Sequence, residues 1–157
     1  MIKIVNDDIL HATEDIICHQ VNCKNSMGSG VAKAIYTRYP IVKSSYHKFC
    51  NQFDSPDKLL GKVQIVRIKP DQCVANIFGQ LEYGRNKNKR YTDYPALARA
   101  FSTIRNEHPG QSLAFPYNFG CGLANGNWDL VYKMIEMAFR HMDVTIYKLP
   151  EHGGNIT

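Results

Sequence analysis

An α/β layered domain built around a mixed sheet is predicted by three observations on this sequence. Strand-like runs alternate with helical ones along 157 residues, the length of one ordinary domain. One pair of neighbouring runs reads as a hairpin, which introduces an antiparallel strand. Two glycine-bearing loops each lie between a strand and a helix.

The elements follow in order. Residues 2–5 and 15–21 are short β-rich runs, and residues 63–68 alternate with a period near two, as a half-buried strand does. Pro70-Asp71 marks a turn, and residues 73–78 are its hairpin partner. Residues 112–115 and 144–149 complete six strands. A helix over 31–39 follows the first glycine loop, and Pro40 separates it from a second helix reaching about Phe53. The helix over 93–105 carries Pro95 in its first turn, where a missing N–H costs little. Asn127 is the expected cap of the last helix, whose Trp128, Val131, Ile135, Ala138 and Met142 recur at three- and four-residue steps and are assigned to the core. Arg140 and His141 are expected in its last turn, where the helix dipole favours positive charge. The expected domain is 1–150, with 151–157 a short polar tail.

Composition excludes several classes. With 44% hydrophobic and 21% charged residues the chain reads as a soluble globular protein. No apolar run approaches the roughly 18 residues needed to span a bilayer, so no membrane partner is expected. Asp7 and Asp8 stand where a signal peptide needs an apolar stretch, so the expected location is cytoplasmic. The five cysteines, Cys18, Cys23, Cys50, Cys73 and Cys121, form no C-x-x-C pair, and no metal-ligand cluster at workable spacing is visible; neither metal nor cofactor is expected. The net charge of +5 fits an anionic partner or a solvated basic surface. Arg85, Lys87, Lys89 and Arg90 concentrate part of that charge in one loop, which either rims a binding cleft, contacts a nucleic acid or is simply solvated.

The first glycine loop, residues 22–32, contains Met27-Gly28-Ser29-Gly30-Val31. It is neither a Walker A motif nor a G-x-G-x-x-G fingerprint, because Lys33 occupies the third glycine position. The second, residues 116–126, contains Asn118-Phe119-Gly120-Cys121-Gly122-Leu123. Glycines let backbone approach a ligand, and a following helix offers unpaired N–H groups to phosphate. Two such loops at one sheet edge build a crevice suited to a diphosphate.

Asp8-Ile9, a strand ending in His19-Gln20-Val21-Asn22, then Met-Gly-Ser-Gly-Val-Ala, then Phe-Gly-Cys-Gly-Leu before a Trp-led helix together resemble the macrodomain family. The resemblance spans essentially the whole chain. It is nearest the branch containing the yeast-type ADP-ribose 1″-phosphate phosphatase and the terminal ADP-ribose glycohydrolase group. His19 through Cys23, Gly28 through Ala32, Arg38-Tyr39-Pro40 and Leu60-Gly61-Lys62 look like the phosphatase in particular.

The resemblance implies a three-layer α/β/α fold with a central mixed six-stranded sheet and a cleft for ADP-ribose. It implies that Asp8 meets the adenine amino group with Ile9 beside it, and that Asn22 faces the distal ribose. Gly28, Ser29, Gly30 and Val31, with Asn118, Phe119, Gly120, Cys121, Gly122 and Leu123, would wrap the diphosphate and that ribose. His19 and Asn22 are the candidate catalytic residues. His19 either attacks the 1″-phosphate or positions water; a histidine closing a strand is also a common structural hydrogen-bonder. Cys23 and Cys121 read as packing residues. The glycohydrolase group's lysine and acid are replaced here by Gly79-Gln80 and Ala124, which disfavours that route, and Asp129 reads as a dipole partner in the last helix's first turn. The expected activity is hydrolysis of ADP-ribose 1″-phosphate to ADP-ribose and phosphate. The alternatives are a non-catalytic ADP-ribose reader and an ADP-ribosyl hydrolase acting on a modified protein or nucleic acid.

Overall fold

The computed structural model describes residues 2–150; the expected tail at 151–157 lies outside them. Six strands, β1 (Ile2–Asn6), β2 (Ile16–Asn22), β3 (Val63–Lys69), β4 (Gln72–Gln80), β5 (Leu113–Pro116) and β6 (Val144–Lys148), form one sheet in the order β1-β6-β5-β2-β4-β3. All neighbours are parallel except β3 and β4, which form the expected hairpin, so the sheet is mixed.

Four helices, α1 (Gly30–Arg38), α2 (Pro40–Cys50), α3 (Tyr94–Glu107) and α4 (Trp128–Ala138), cover the two faces. Alternation along the strands divides the core between them. Ile16, Cys18, Ala75, Ile77, Leu113, Phe115, Val144 and Ile146 face α3 and α4, where Leu97, Phe101, Ile104, Val131 and Ile135 close the layer. On the other face Ile17, Val74 and Ala114 pack beneath Ile35 and Val42, and Val21 and Phe78 beneath Tyr46 and Cys50. The result is the three-layer α/β/α arrangement, each layer held chiefly by apolar surface removed from water.

Capping explains where helices begin. Asp93 Oδ1 accepts from the Ala96 amide at 2.9 Å to start α3, and Asn127 Oδ1 accepts from Leu130 at 3.2 Å to start α4. The ends differ from expectation in two places. Helix α2 stops at Cys50 rather than Phe53, because residues 51–53 tighten into a turn in which Gln52 N–H reaches Phe49 O and Phe53 N–H reaches Cys50 O. Helix α4 stops at Ala138, so Arg140 and His141 lie beyond its last turn. Phe139 leaves helical geometry there and buries its ring against Phe101 and Phe115, so tertiary packing overrides the helical repeat. Trp128 packs against this core as expected but is only half-buried, its ring 5.0 Å from that of Tyr117. Two 3-10 turns, Ile9–His11 and Pro56–Lys58, had no expectation.

Candidate functional site

The five parallel strands end at one edge, bringing together residues 7–12 after β1, 23–29 after β2, 81–93 after β4 and 117–127 after β5. Strands β2 and β5 are neighbours, yet β2 continues through α1 and α2 on one face while β5 continues through α4 on the other. Their junction is therefore the switch point of the sheet, where open α/β sheets bind ligands. The two strands pair only at Ile16–Leu113 and Ile17–Ala114. The five further residues of β2 have no ladder on that side, which opens a crevice between the loops that follow.

The first loop is anchored at its base and unbonded at its tip. Buried Tyr46 donates its hydroxyl to Asn22 O at 2.8 Å and receives the Ser26 amide at 3.1 Å. Asn22 donates from Nδ2 to Ser26 O at 2.6 Å and accepts from the Lys24 amide through Oδ1 at 2.9 Å. Gly28, Ser29 and Gly30 are exposed, Val31 is 37% exposed, and none of their amides donates to an acceptor among the described residues. Ser29 stands at the N-cap of α1 with no side-chain cap bond, unlike the start residues of α3 and α4. Gly30 turns at φ +61°, which a side chain adopts only with strain.

The second loop is braced from below. Phe119 turns its ring into the core, 2% exposed, against Phe101 and Phe115, so only its backbone faces the crevice. Thr92 donates its hydroxyl to Gly120 O at 2.5 Å and itself accepts from Gln20 Nε2 at 2.9 Å. Gly120, at φ +70°, rides directly on Gln20: a Cβ there would meet Oε1 at 2.9 Å. Since Gln20 lies two residues before Asn22, this contact seats the second loop beside the end of β2. The positions that depart from the glycohydrolase pattern serve the same brace. Gln80 Oε1 accepts from Gln20 at 2.8 Å, and Ala124 O accepts the amides of Tyr91 and Thr92. The amides of Gly122 and Leu123 have no acceptor among the described residues, and both residues are exposed.

Asp8 and Ile9 lie at the same edge. Asp8 Oδ1 accepts the Leu10 amide at 2.9 Å, while Ile9 is buried against the α1 side of the sheet. A groove of about 550 Å³ runs between Leu10 and the Gly30, Lys33, Ala34, Thr37 and Arg38 face of α1, linking this segment to the first loop.

His19 is placed differently. It is 1% exposed and points into the layer beneath α1 and α2. Its Nε2 is 2.5 Å from Asn76 Oδ1, Asn76 Nδ2 donates to Gln64 Oε1, and Gln64 Nε2 donates to Ser45 O on α2. The chain ties three strands to a helix. Burial pulls the imidazole down to about 4, against a smaller opposing effect of the Asn76 bond, so it is neutral at pH 7. Cys23 and Cys121 are both pushed up to about 12 by burial, which keeps their thiols protonated and poor nucleophiles. Residue types alone had not singled out Gln20, Thr92 or Tyr46; the one signal for Gln20 was a polar side chain inside an otherwise buried strand.

An open α/β/α sheet whose switch-point crevice is flanked by two glycine loops defines the architecture. No family model matches the chain. The structure is similar to a macrodomain protein from Streptomyces coelicolor, with a TM-score of 0.77 and 27% identity over 98% of this chain and 100% of that one. Among curated proteins it is 26% identical to the DNA ADP-ribosyl glycohydrolase of Mycobacterium tuberculosis over 99% of the chain, and 32% identical to the ADP-ribose 1″-phosphate phosphatase of Debaryomyces hansenii over 42% of it. The chain spans 44% and 41% of the length of those two, and 5% of the Venezuelan equine encephalitis virus polyprotein, to which it is also similar at 26% identity. The chain has the macrodomain fold.

Proposed function

We propose that this macrodomain binds ADP-ribose in the switch-point crevice and hydrolyses the bond to a substituent on the terminal ribose. The observation that carries the reading is the pair of loops with unbonded amides, Gly28 through Val31 and Gly122 with Leu123, facing one crevice. Fixed backbone N–H groups and the uncapped start of α1 neutralise a diphosphate without requiring many cationic side chains. Asp8, whose Oδ1 is already engaged, is suited to accept from an adenine amino group through Oδ2. Asn22 borders the ribose end.

The named substrate is ADP-ribose 1″-phosphate, on the strength of the resemblance and the partial match to the yeast phosphatase. A water oxygen attacks phosphorus, the bond from phosphorus to the 1″ oxygen breaks, and that oxygen leaves with a proton from solvent. The loops contribute by holding the ester and by placing N–H dipoles where charge builds on the phosphoryl oxygens. The burial of His19 supports a bracing role rather than contact with substrate.

The test is calorimetric titration with ADP-ribose followed by phosphate release from ADP-ribose 1″-phosphate. Binding with release supports the phosphatase reading. Binding without release leaves a reader, or a hydrolase whose 1″ substituent is a macromolecule. Absence of binding removes the reading altogether.

A further inference from the structure

Between β4 and α3 the chain carries four cations, Arg85, Lys87, Lys89 and Arg90, against two acids, Glu82 and Asp93, and the Asp93 carboxylate is engaged in capping α3. The segment is folded on itself around Tyr91. The Tyr91 hydroxyl accepts the Asn86 amide at 3.2 Å, and the Lys89 ammonium lies 5.2 Å from the Tyr91 ring while pairing with Glu82. Arg90 stacks on Tyr94 at 4.3 Å and donates to Thr92 O. Two cations thus hold the segment together. The other two, Arg85 and Lys87, are exposed and pair with nothing among the described residues. Tyr83, beside them, is 58% exposed.

The same segment is latched to the second glycine loop. Asn125, at φ +61°, donates from Nδ2 to Asn86 O at 3.0 Å and to Lys89 O at 2.7 Å, and Ala124 O accepts the amides of Tyr91 and Thr92. The cations and the crevice therefore form one rigid rim.

We propose that residues 82–92 are a docking surface for a single nucleic-acid strand, held beside the mouth of the crevice. Arg85 and Lys87 neutralise backbone phosphates, and Tyr83 offers an aromatic face to an unstacked base. That combination of charge and stacking fits a nucleic-acid strand better than an acidic peptide, which offers carboxylates but no bases. The consequence that such a strand presents a 1″-linked ADP-ribose to the crevice rests on the binding reading above; strand binding itself does not.

The experiment is fluorescence anisotropy with a labelled oligothymidylate carrying no ADP-ribose, at several salt concentrations. The unaltered chain is expected to bind with an affinity that falls as salt rises. Arg85→Ala with Lys87→Ala weakens binding about tenfold and lowers the salt slope by about 1.4, two contacts at about 0.7 each. Tyr83→Ala weakens it about tenfold, as expected for one stacked base. None of these variants changes the affinity for ADP-ribose measured by calorimetry. No binding by the unaltered chain, equal binding by the double variant, or equally effective competition by oligoglutamate would overturn the proposal. Failure of ADP-ribose to bind the unaltered chain would count against the crevice reading alone, since the oligonucleotide titration judges the docking surface independently.

Discussion

The two glycine loops that face each other across the switch point are held in opposite ways. The first is tied at its base by Tyr46 and then rises to Gly28, Ser29 and Gly30 with exposed backbone and an uncapped helix. The second is plugged by Phe119, braced through Thr92 and Gln20, and latched by Asn125. One side of the crevice is preorganised by buried contacts that span the chain. The other is held only at its base, although both walls present unbonded amides, Gly28 through Val31 on one and Gly122 with Leu123 on the other. One wall of the proposed site is thus set by contacts between residues distant in sequence, the other by contacts local to its base.

The largest expected effect is on the braced wall. Phe119→Ala removes a ring buried among Phe101 and Phe115 and costs about 3–5 kcal/mol of folding stability, measured by denaturant unfolding.

A comparable effect follows from pH. His19 is held down at about 4 by burial, well below the 6.5 of an exposed histidine. Its contribution is fully present above pH 6.5 and is lost as pH falls towards 4, since the unfolded chain takes up the proton first; the loss amounts to about 3 kcal/mol. A stability–pH curve should show that fall, and His19→Gln should flatten it.

Thr92→Val removes one bond from Gly120 O, which still accepts the Gly126 amide, and one from Gln20 Nε2, which still donates to Gln80. It should cost about 1–3 kcal/mol and weaken ADP-ribose binding through the second loop, read by unfolding and calorimetry together.

The smallest effect sharpens the contrast. Asn127→Ala removes a cap bond and should cost about 1 kcal/mol, whereas Ser29→Ala, which removes none, should leave stability within about 0.5 kcal/mol of the parent.

Much of this architecture was legible from pattern. Alternation located β3, Pro70-Asp71 located the hairpin turn, and Asn127 marked the start of α4, because each is a local property of a few residues. The end of α4 was not, since Phe139 departs from the helix to fill space between residues distant in sequence. His19 shows a second limit. The sequence put a histidine near the end of a strand, but whether it faces the crevice or the α2 layer depends on register, and its pairing with Asn76 spans 57 positions. Glycine spacing identified both loops, while the brace beneath the second joins Gln20, Thr92 and Gly120 across a hundred residues. Side-chain types also say nothing about which backbone amides remain unbonded, and those amides are the basis of the proposed site.

The most direct measurement is a titration of ADP-ribose into isotope-labelled protein, following the backbone amide resonances. Binding in the switch-point crevice predicts that the largest shifts fall on Gly28 through Val31 and on Gly122 and Leu123, with the His19 layer undisturbed. Shifts confined to other surfaces, or none at saturating ligand, would contradict it.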